Sequence, residues 1–108
     1  MMSEELILKI KDALDITFED EDFDRKIVGI IEDGIPILRS LFGVEEGEEI
    51  DWTKPSRERM LLKNYCLYEL NNVSEKFAEN YRSEILGVRA KNEVKQWKKA
   101  NSTDTVTE

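Results

Sequence analysis

The segment PSRERMLLKNYCLYELNNV, residues 55–73, limits what this chain can fold into more than any other. Leu61, Leu62, Tyr65, Cys66, Tyr68, Leu70 and Val73 recur at three- and four-residue spacing, which places them on successive turns of an α-helix rather than on one side of a strand. At 100° per residue they cover more than half of the helix circumference. A helix apolar on so many sides belongs at the centre of a bundle, where neighbours cover it. Pro55 suits an opening position, because the first helical N–H has no partner to lose. The expected fold class is therefore all-α: a small bundle of roughly four to five helices with a long C-terminal helix.

Two segments ahead of this helix supply partners for it. SEELILKIKDALDI begins with Ser3, a helix N-cap type, and Glu4 and Glu5 suit the positive end of a helix dipole. Leu6, Ile10, Ala13 and Leu14 form its apolar stripe. After the polar break TFEDEDFD, in which Asp20 or Asp22 can cap, the segment 23–43 carries Phe23, Ile27, Ile30, Ile31, Leu38 and Leu41 on one face. Gly43 is a suitable stop. Pro36 lies inside this pattern and removes a backbone donor. The stripe keeps its phase across Pro36, which predicts one kinked helix rather than two, with Gly34 loosening the joint. Residues 43–56, GVEEGEEIDWTKPS, read as a loop, and Trp52 is expected to pin it to the core.

Asn71, Asn72 and Ser74 then interrupt the apolar pattern, since these side chains bond to nearby backbone and favour turns. A last helix is expected to start between Glu75 and Asn80 and to run to about Lys99. It carries two stripes. Phe77, Tyr81, Ile85 and Val88 share a narrow arc, and Leu86, Ala90, Val94 and Trp97 share another on nearly the opposite side. A bundle helix needs one buried face, so the second stripe is the candidate subunit or partner interface. Residues 1–100 read as one helical domain and 101–108, NSTDTVTE, as a disordered tail.

The residue inventory excludes several chemistries. The chain has no histidine and one cysteine, Cys66, which removes Ser-His-Asp and Cys-His nucleophilic systems, histidine metal sites and a single-chain thiolate zinc cluster. No glycine-rich phosphate loop is present. The acidic run EDEDFD, residues 19–24, lacks the central glycine of a calcium loop and suits a helix start. Glu45, Glu46, Glu48 and Glu49 lie in a loop with nothing apolar to raise a carboxyl pKa. The expectation is no catalysis, no metal and no cofactor. No run is long and apolar enough to span a membrane, and no secretory signal pattern is evident, so a soluble intracellular chain is expected. The formal charge is −8, but unevenly spread. Residues 1–52 carry 16 acidic and 5 basic side chains; residues 53–108 carry 8 and 11. Such asymmetry fits a basic partner for the first half, copies that meet acidic face to basic face, or two differently solvated surfaces.

The central run LLKNYCLYELNN followed by FAENYRSEIL resembles the small head–tail connector proteins of tailed bacteriophages and prophages, also called head-completion or adaptor proteins. The resemblance covers about residues 3–90 and is carried by Tyr65, Tyr68, Asn71, Asn72, Phe77, Asn80, Tyr81, Glu84, Ile85 and Leu86. Pro36 departs from the smoothly helical pattern expected of the second helix. The resemblance implies an all-α subunit of a homo-oligomeric ring, twelve-fold in the family, at the head–tail junction of the virion, assembled in the bacterial host cytoplasm. It implies docking beneath the portal protein after DNA packaging, a platform for the tail or next connector protein, and genomic DNA passing through the channel without sequence-specific binding. Tyr65, Tyr68, Phe77, Tyr81 and Ile85 would form the core of the family-like motif. The alternative from another class is a small helical regulatory or nucleic-acid-binding module that reads with its basic last helix. The net charge and the lack of a helix-turn-helix glycine turn weigh against it, and a steep salt dependence of DNA binding would distinguish it.

Overall fold

A computed structural model describes residues 3–106, with the backbone alone for 102–106. The chain is all-α. Its helices are α1 (Glu4–Ala13), α2 (Glu21–Phe42), α3 (Arg57–Leu70), α4 (Phe77–Asn80) and α5 (Arg82–Val106), with a 3₁₀ turn at Ser74–Lys76. Helices α2, α3 and α5 pack on one another, and the 3₁₀ turn and α4 close the corner between α3 and α5.

The caps follow from the residues at each boundary. The Ser3 hydroxyl accepts from Leu6 N at 3.3 Å. Of the two candidate caps for α2, Asp20 is the one used: its carboxylate accepts from Asp22 N and Phe23 N at 2.9 and 3.1 Å. Gly43 ends α2 at φ +67°, a conformation that costs a residue without Cβ little. Ser56 caps α3 by accepting from Arg59 N at 3.0 Å, so Pro55 stands just ahead of the cap rather than in the first turn. Asn72, at φ +59°, turns the chain out of α3. The expected span 55–73 for this helix is trimmed at both ends by these two polar residues.

The core holds Leu6 and Ile10 from α1, and Ile27, Ile31, Leu38 and Phe42 from α2. From α3 come Leu61, Leu62, Tyr65 and Cys66, joined by Phe77, Ile85 and Val88. Trp52 is buried, its ring centre 6.3 Å from that of Phe42, and it pins the 44–56 loop as its sequence context predicted. Helix α3 is central, although Tyr68, Leu70 and Val73 are half-buried and Leu67 is exposed. In α1 the expected stripe is corrected at one position. Ala13 is exposed, while Lys11 is buried and donates to Asp24 at 2.7 Å, tying α1 to α2.

Helix α2 is continuous through Pro36. Gly34 does more than loosen a joint. A Cβ there would lie 2.7 Å from Tyr65 Cε2 and 2.8 Å from Cδ2, so the absent side chain is what lets the Tyr65 ring lie against the α2 backbone. The second correction concerns the last helix. It does not run unbroken from the Glu75–Asn80 region: Tyr81, at φ −110° and ψ 21°, separates α4 from α5. Tyr81 is half-buried rather than buried. The i→i−4 ladder nevertheless continues across the break, with Tyr81 N donating to Phe77 O and Ile85 N to Tyr81 O, both at 2.9 Å. At its other end α5 is assigned to Val106, beyond the expected stop near Lys99. Of the expected disordered tail, 101–108, the backbone of 101–106 continues α5, while the side chains from 102 and all of 107 and 108 lie outside the described residues.

Two outcomes test this packing. Gly34→Ala gains about 1 kcal/mol of helix propensity but forces a buried aromatic ring to move, an overpacking cost of about 1–3 kcal/mol. Net destabilisation is expected in urea unfolding, and it should shrink when Tyr65 is first changed to Leu; equal effects in both backgrounds would show that the ring does not hold this position. The second outcome is a loss of stability in alkali. Burial pushes the Cys66 thiol from its ordinary 9.0 up to about 12. Burial, then the bond to Glu69, pushes the Tyr65 phenol from 10.0 up to about 12. Both groups are neutral when protonated, so their contribution is complete below the unfolded values and is lost as pH rises from about 9 towards 12. Thermal melts across that range should show a steady fall in the midpoint, and Cys66 should react with a thiol reagent at pH 8 only as fast as the chain opens.

Candidate functional site

Helix α5 divides into two halves by what holds it. Up to Val88, which is 1% exposed, it is held by apolar burial of Ile85 and Val88 against α2 and α3. Beyond Val88 none of its described residues is buried. The positions that continue the inner face in helical phase are Asn92 and Gln96, and both are half-buried. Their amides donate to carbonyls at the end of α2: Asn92 Nδ2 to Phe42 O at 3.0 Å and Gln96 Nε2 to Gly43 O at 2.9 Å. Arg89 makes longer contacts to Ser40 O and Leu41 O, 3.5 and 3.4 Å. The last carbonyls of a helix have no partner within it, and here α5 supplies partners from outside. Two ion pairs add to this attachment. Lys91 meets Glu58 of α3 at 2.8 Å, and Lys95 meets Glu48 of the loop at 3.1 Å. Burial raises the Glu58 carboxyl, but the hydrogen bond and charge of Lys91 outweigh it and leave it below its ordinary value.

The opposite side of α5 carries the second stripe. Leu86 is 49%, Val94 51% and Trp97 65% exposed, and Ala90 between them is exposed as well. All four residues of the candidate interface therefore lie on one open face, turned away from the carbonyls of α2. At its near end Leu86 also borders a groove of about 490 Å³ with Leu41, Ala78 and Ile85, flanked by Arg82 and Glu79. The helix carries this face outward. The molecule measures 60 × 28 × 20 Å, with a radius of gyration of 16.1 Å against about 13 Å for a compact chain of this length.

Tyr65, Tyr68, Phe77 and Tyr81, four of the residues that carry the resemblance, meet in one aromatic cluster. Phe77 is the hub: its ring centre lies 5.4 Å from Tyr65, 5.9 Å from Tyr68 and 5.2 Å from Tyr81. Tyr65 and Tyr68 meet it edge to face, an arrangement favoured by the ring quadrupoles. Ile85 is buried beside the hub's helix, Asn80 donates to the Tyr68 hydroxyl at 2.9 Å, and Tyr65 donates to Glu69 at 3.0 Å. These residues are structural in placement; Leu86, which also carries the resemblance, lies instead on the exposed stripe.

The acidic segments do not converge. Among the described residues no group of three or more Asp, Glu, Cys or His side chains is placed to hold a metal ion, and no helix is long and apolar enough to cross a membrane. Sequence reasoning missed the polar anchors Arg89, Asn92 and Gln96. Their signal was present, as a run of hydrogen-bonding side chains that keeps the phase of the apolar stripe after the stripe stops. It also passed over Phe18, which is 53% exposed and packs edge to face on Phe23 at 5.1 Å.

Comparison with protein-family models, with curated proteins and with solved structures found no match for this chain.

The polar attachment of distal α5 is testable. Changing Asn92 and Gln96 together to Ala removes two side-chain hydrogen bonds worth about 0.5–1.5 kcal/mol each. Amides after Val88 should then exchange with solvent several-fold faster while the α3 amides stay protected. Unchanged exchange beyond Val88 would show that these bonds do not hold the helix.

Proposed function

We propose that this chain is a non-catalytic structural subunit of a phage or prophage head–tail connector, which joins copies of itself and neighbouring head and tail proteins into a ring. The observation that carries the reading is the row Leu86, Ala90, Val94 and Trp97, exposed along one face of a helix that projects from a finished core. The core is complete without that row, and an isolated chain gains nothing from holding a tryptophan in water. Aromatic residues at the end of an apolar stripe are the usual anchors of protein interfaces. The resemblance in the Tyr65–Leu86 region supports the same role. On this reading the partners are other copies, a portal protein above and a tail or second connector protein below, with DNA passing through the channel.

The nucleic-acid module receives less support from the geometry. Lys91 and Lys95 are engaged by Glu58 and Glu48, and Arg89 leans on the end of α2. The basic residues of α5 are thus partly neutralised within the chain, and a phosphate-binding face needs open, clustered cations.

The test is assembly of the purified chain, followed by native mass spectrometry and negative-stain imaging, with Trp97→Ala alongside. The wild-type chain is expected to give closed oligomers, alone or on addition of portal rings. The variant should melt within a few degrees of wild type, as expected for a surface substitution, yet lose assembly at least ten-fold. Assembly of the variant at wild-type strength would remove the stripe from the interface. Tight, strongly salt-dependent binding to duplex DNA would favour the nucleic-acid module.

A further inference from the structure

The exposed stripe has a chemistry that limits what can cover it. On the helical wheel of residues 82–101, Arg82 and Arg89 border one edge and Lys98 and Lys91 the other; Arg89 is paired with Glu93 at 3.6 Å and Lys91 with Glu58 at 2.8 Å. Arg82 and Lys98 make no ion pair among the described residues. A second α5 laid on the first would therefore bring cation against cation around the apolar row. Like charges across an interface select against that pairing. The occupant that fits is an apolar knob set among carboxylates.

The same chain displays one. Among the described residues the exposed aromatic side chains are two, Trp97 at the basic end and Phe18 at the acidic end. Phe18 stands in the turn between α1 and α2, followed directly by Glu19, Asp20, Glu21 and Asp22. Glu19 and Glu21 have no ion pair among the described residues, while Asp22 is paired with Arg25 and Asp24 with Lys11. Asp20 is occupied as the helix cap. The Phe18 ring is braced by Phe23, so it is presented in a fixed direction rather than as a loose side chain. Residues 1–52 hold 16 of the 24 carboxylates in the chain, and Glu19 and Glu21 next to Phe18 are opposite in sign to Arg82 and Lys98 beside the stripe.

We infer that the α5 stripe of one copy docks on the α1–α2 corner around Phe18 of a second copy. The inference rests on the proposed self-assembly and adds the identity of the receiving surface. The contact joins two different patches of one chain, so, unless two copies engage both patches reciprocally, each end of a dimer keeps one patch unused. Growth continues until the rotation between copies closes the chain into a ring, or fails to close it and yields a filament.

Complementation between two variants tests this. Trp97→Ala damages the stripe, and Phe18→Ala with Glu19→Lys damages the corner; Glu19→Lys alone serves if loss of the Phe18–Phe23 contact unfolds the chain, which circular dichroism will report. By sedimentation at low salt the wild-type chain is expected to form species larger than dimers and to lose association at least ten-fold in 0.5 M salt, as screened charge pairs require. Each variant alone should be monomeric. A 1:1 mixture should yield a heterodimer and nothing larger, because each partner supplies one intact patch. A corner variant that assembles like wild type while Trp97→Ala does not would overturn the receiving surface and leave the stripe as an interface. Failure of the mixture to form a heterodimer would overturn it in the same way. Wild-type association unaffected by Trp97→Ala would overturn both readings, and a wild-type chain that stays monomeric at every salt concentration would overturn the receiving surface.

Discussion

The Tyr65 ring lying on the backbone of α2 at Gly34 sets the distance between the two helices that define the bundle. Any side chain at residue 34 would place an atom inside that ring's van der Waals contact. The ring also orients the chain beyond α3, because Tyr65 meets Phe77 edge to face, and Phe77 in turn holds Tyr68 and Tyr81. The turn at Asn71 and Asn72 reverses the chain, and the aromatic hub decides where it comes back. Helix α5 therefore leaves the hub in a direction fixed by one close approach two helices away. A bundle with a larger residue at position 34 would have to move Tyr65 and the hub with it.

The helices were legible from sequence because their signals are local. Apolar spacing named α1, α2 and α3, and capping residues marked the ends of the first two: Ser3, Asp20 and Gly43 each bond as their chemistry predicts, whereas Ser56, the cap of α3, was read as loop with Pro55 as the opening residue. Trp52 was legible for a different reason, since an aromatic ring in a polar loop has little else to do than cover core. The break at Tyr81 was hidden. Phe77, Tyr81 and Ile85 keep helical spacing through it, and the backbone hydrogen bonds continue across it, so periodicity carries no trace of the change in ψ. The role of Gly34 was hidden too. Beside Pro36 it reads as a flexible joint, and only the position of a ring from another helix shows that the missing Cβ is a packing feature.

The candidate site was legible as a stripe and not as an attachment. Leu86, Ala90, Val94 and Trp97 share a face by spacing alone. Why that face stays open depends on how the opposite face is held, and this depends on Asn92 and Gln96 reaching the carbonyls of α2. Those carbonyls need partners whether or not α5 is present, since a helix end leaves its last acceptors unused. Amide side chains satisfy them at modest net gain and leave no apolar surface exposed if the contact opens. An apolar continuation of the inner face would have given α5 two apolar sides along its whole length and made its distal half prone to indiscriminate association.

This division of labour explains how the charge asymmetry and the stripe fit together. Some of the cations of α5 face inward along its flanks and are used within the chain, on Glu58 and Glu48, where they hold the helix against the loop and α3. Arg82 and Lys98 face the stripe, away from those partners. The first-half carboxylates show the complementary pattern: Asp20, Asp22 and Asp24 are used locally as cap and ion pairs, while Glu19 and Glu21 beside Phe18 are not. Each end of the chain thus keeps a reserve of one sign next to an exposed aromatic ring, and the two reserves are opposite. A contact of stripe on stripe or corner on corner would set each reserve against its own kind and be opposed by like charge. A head-to-tail contact sets each against the other. The sign of the charge around each ring therefore bears on which patches meet as well as on how strongly, and it favours stripe on corner, a pairing that grows head to tail unless two copies engage both patches reciprocally.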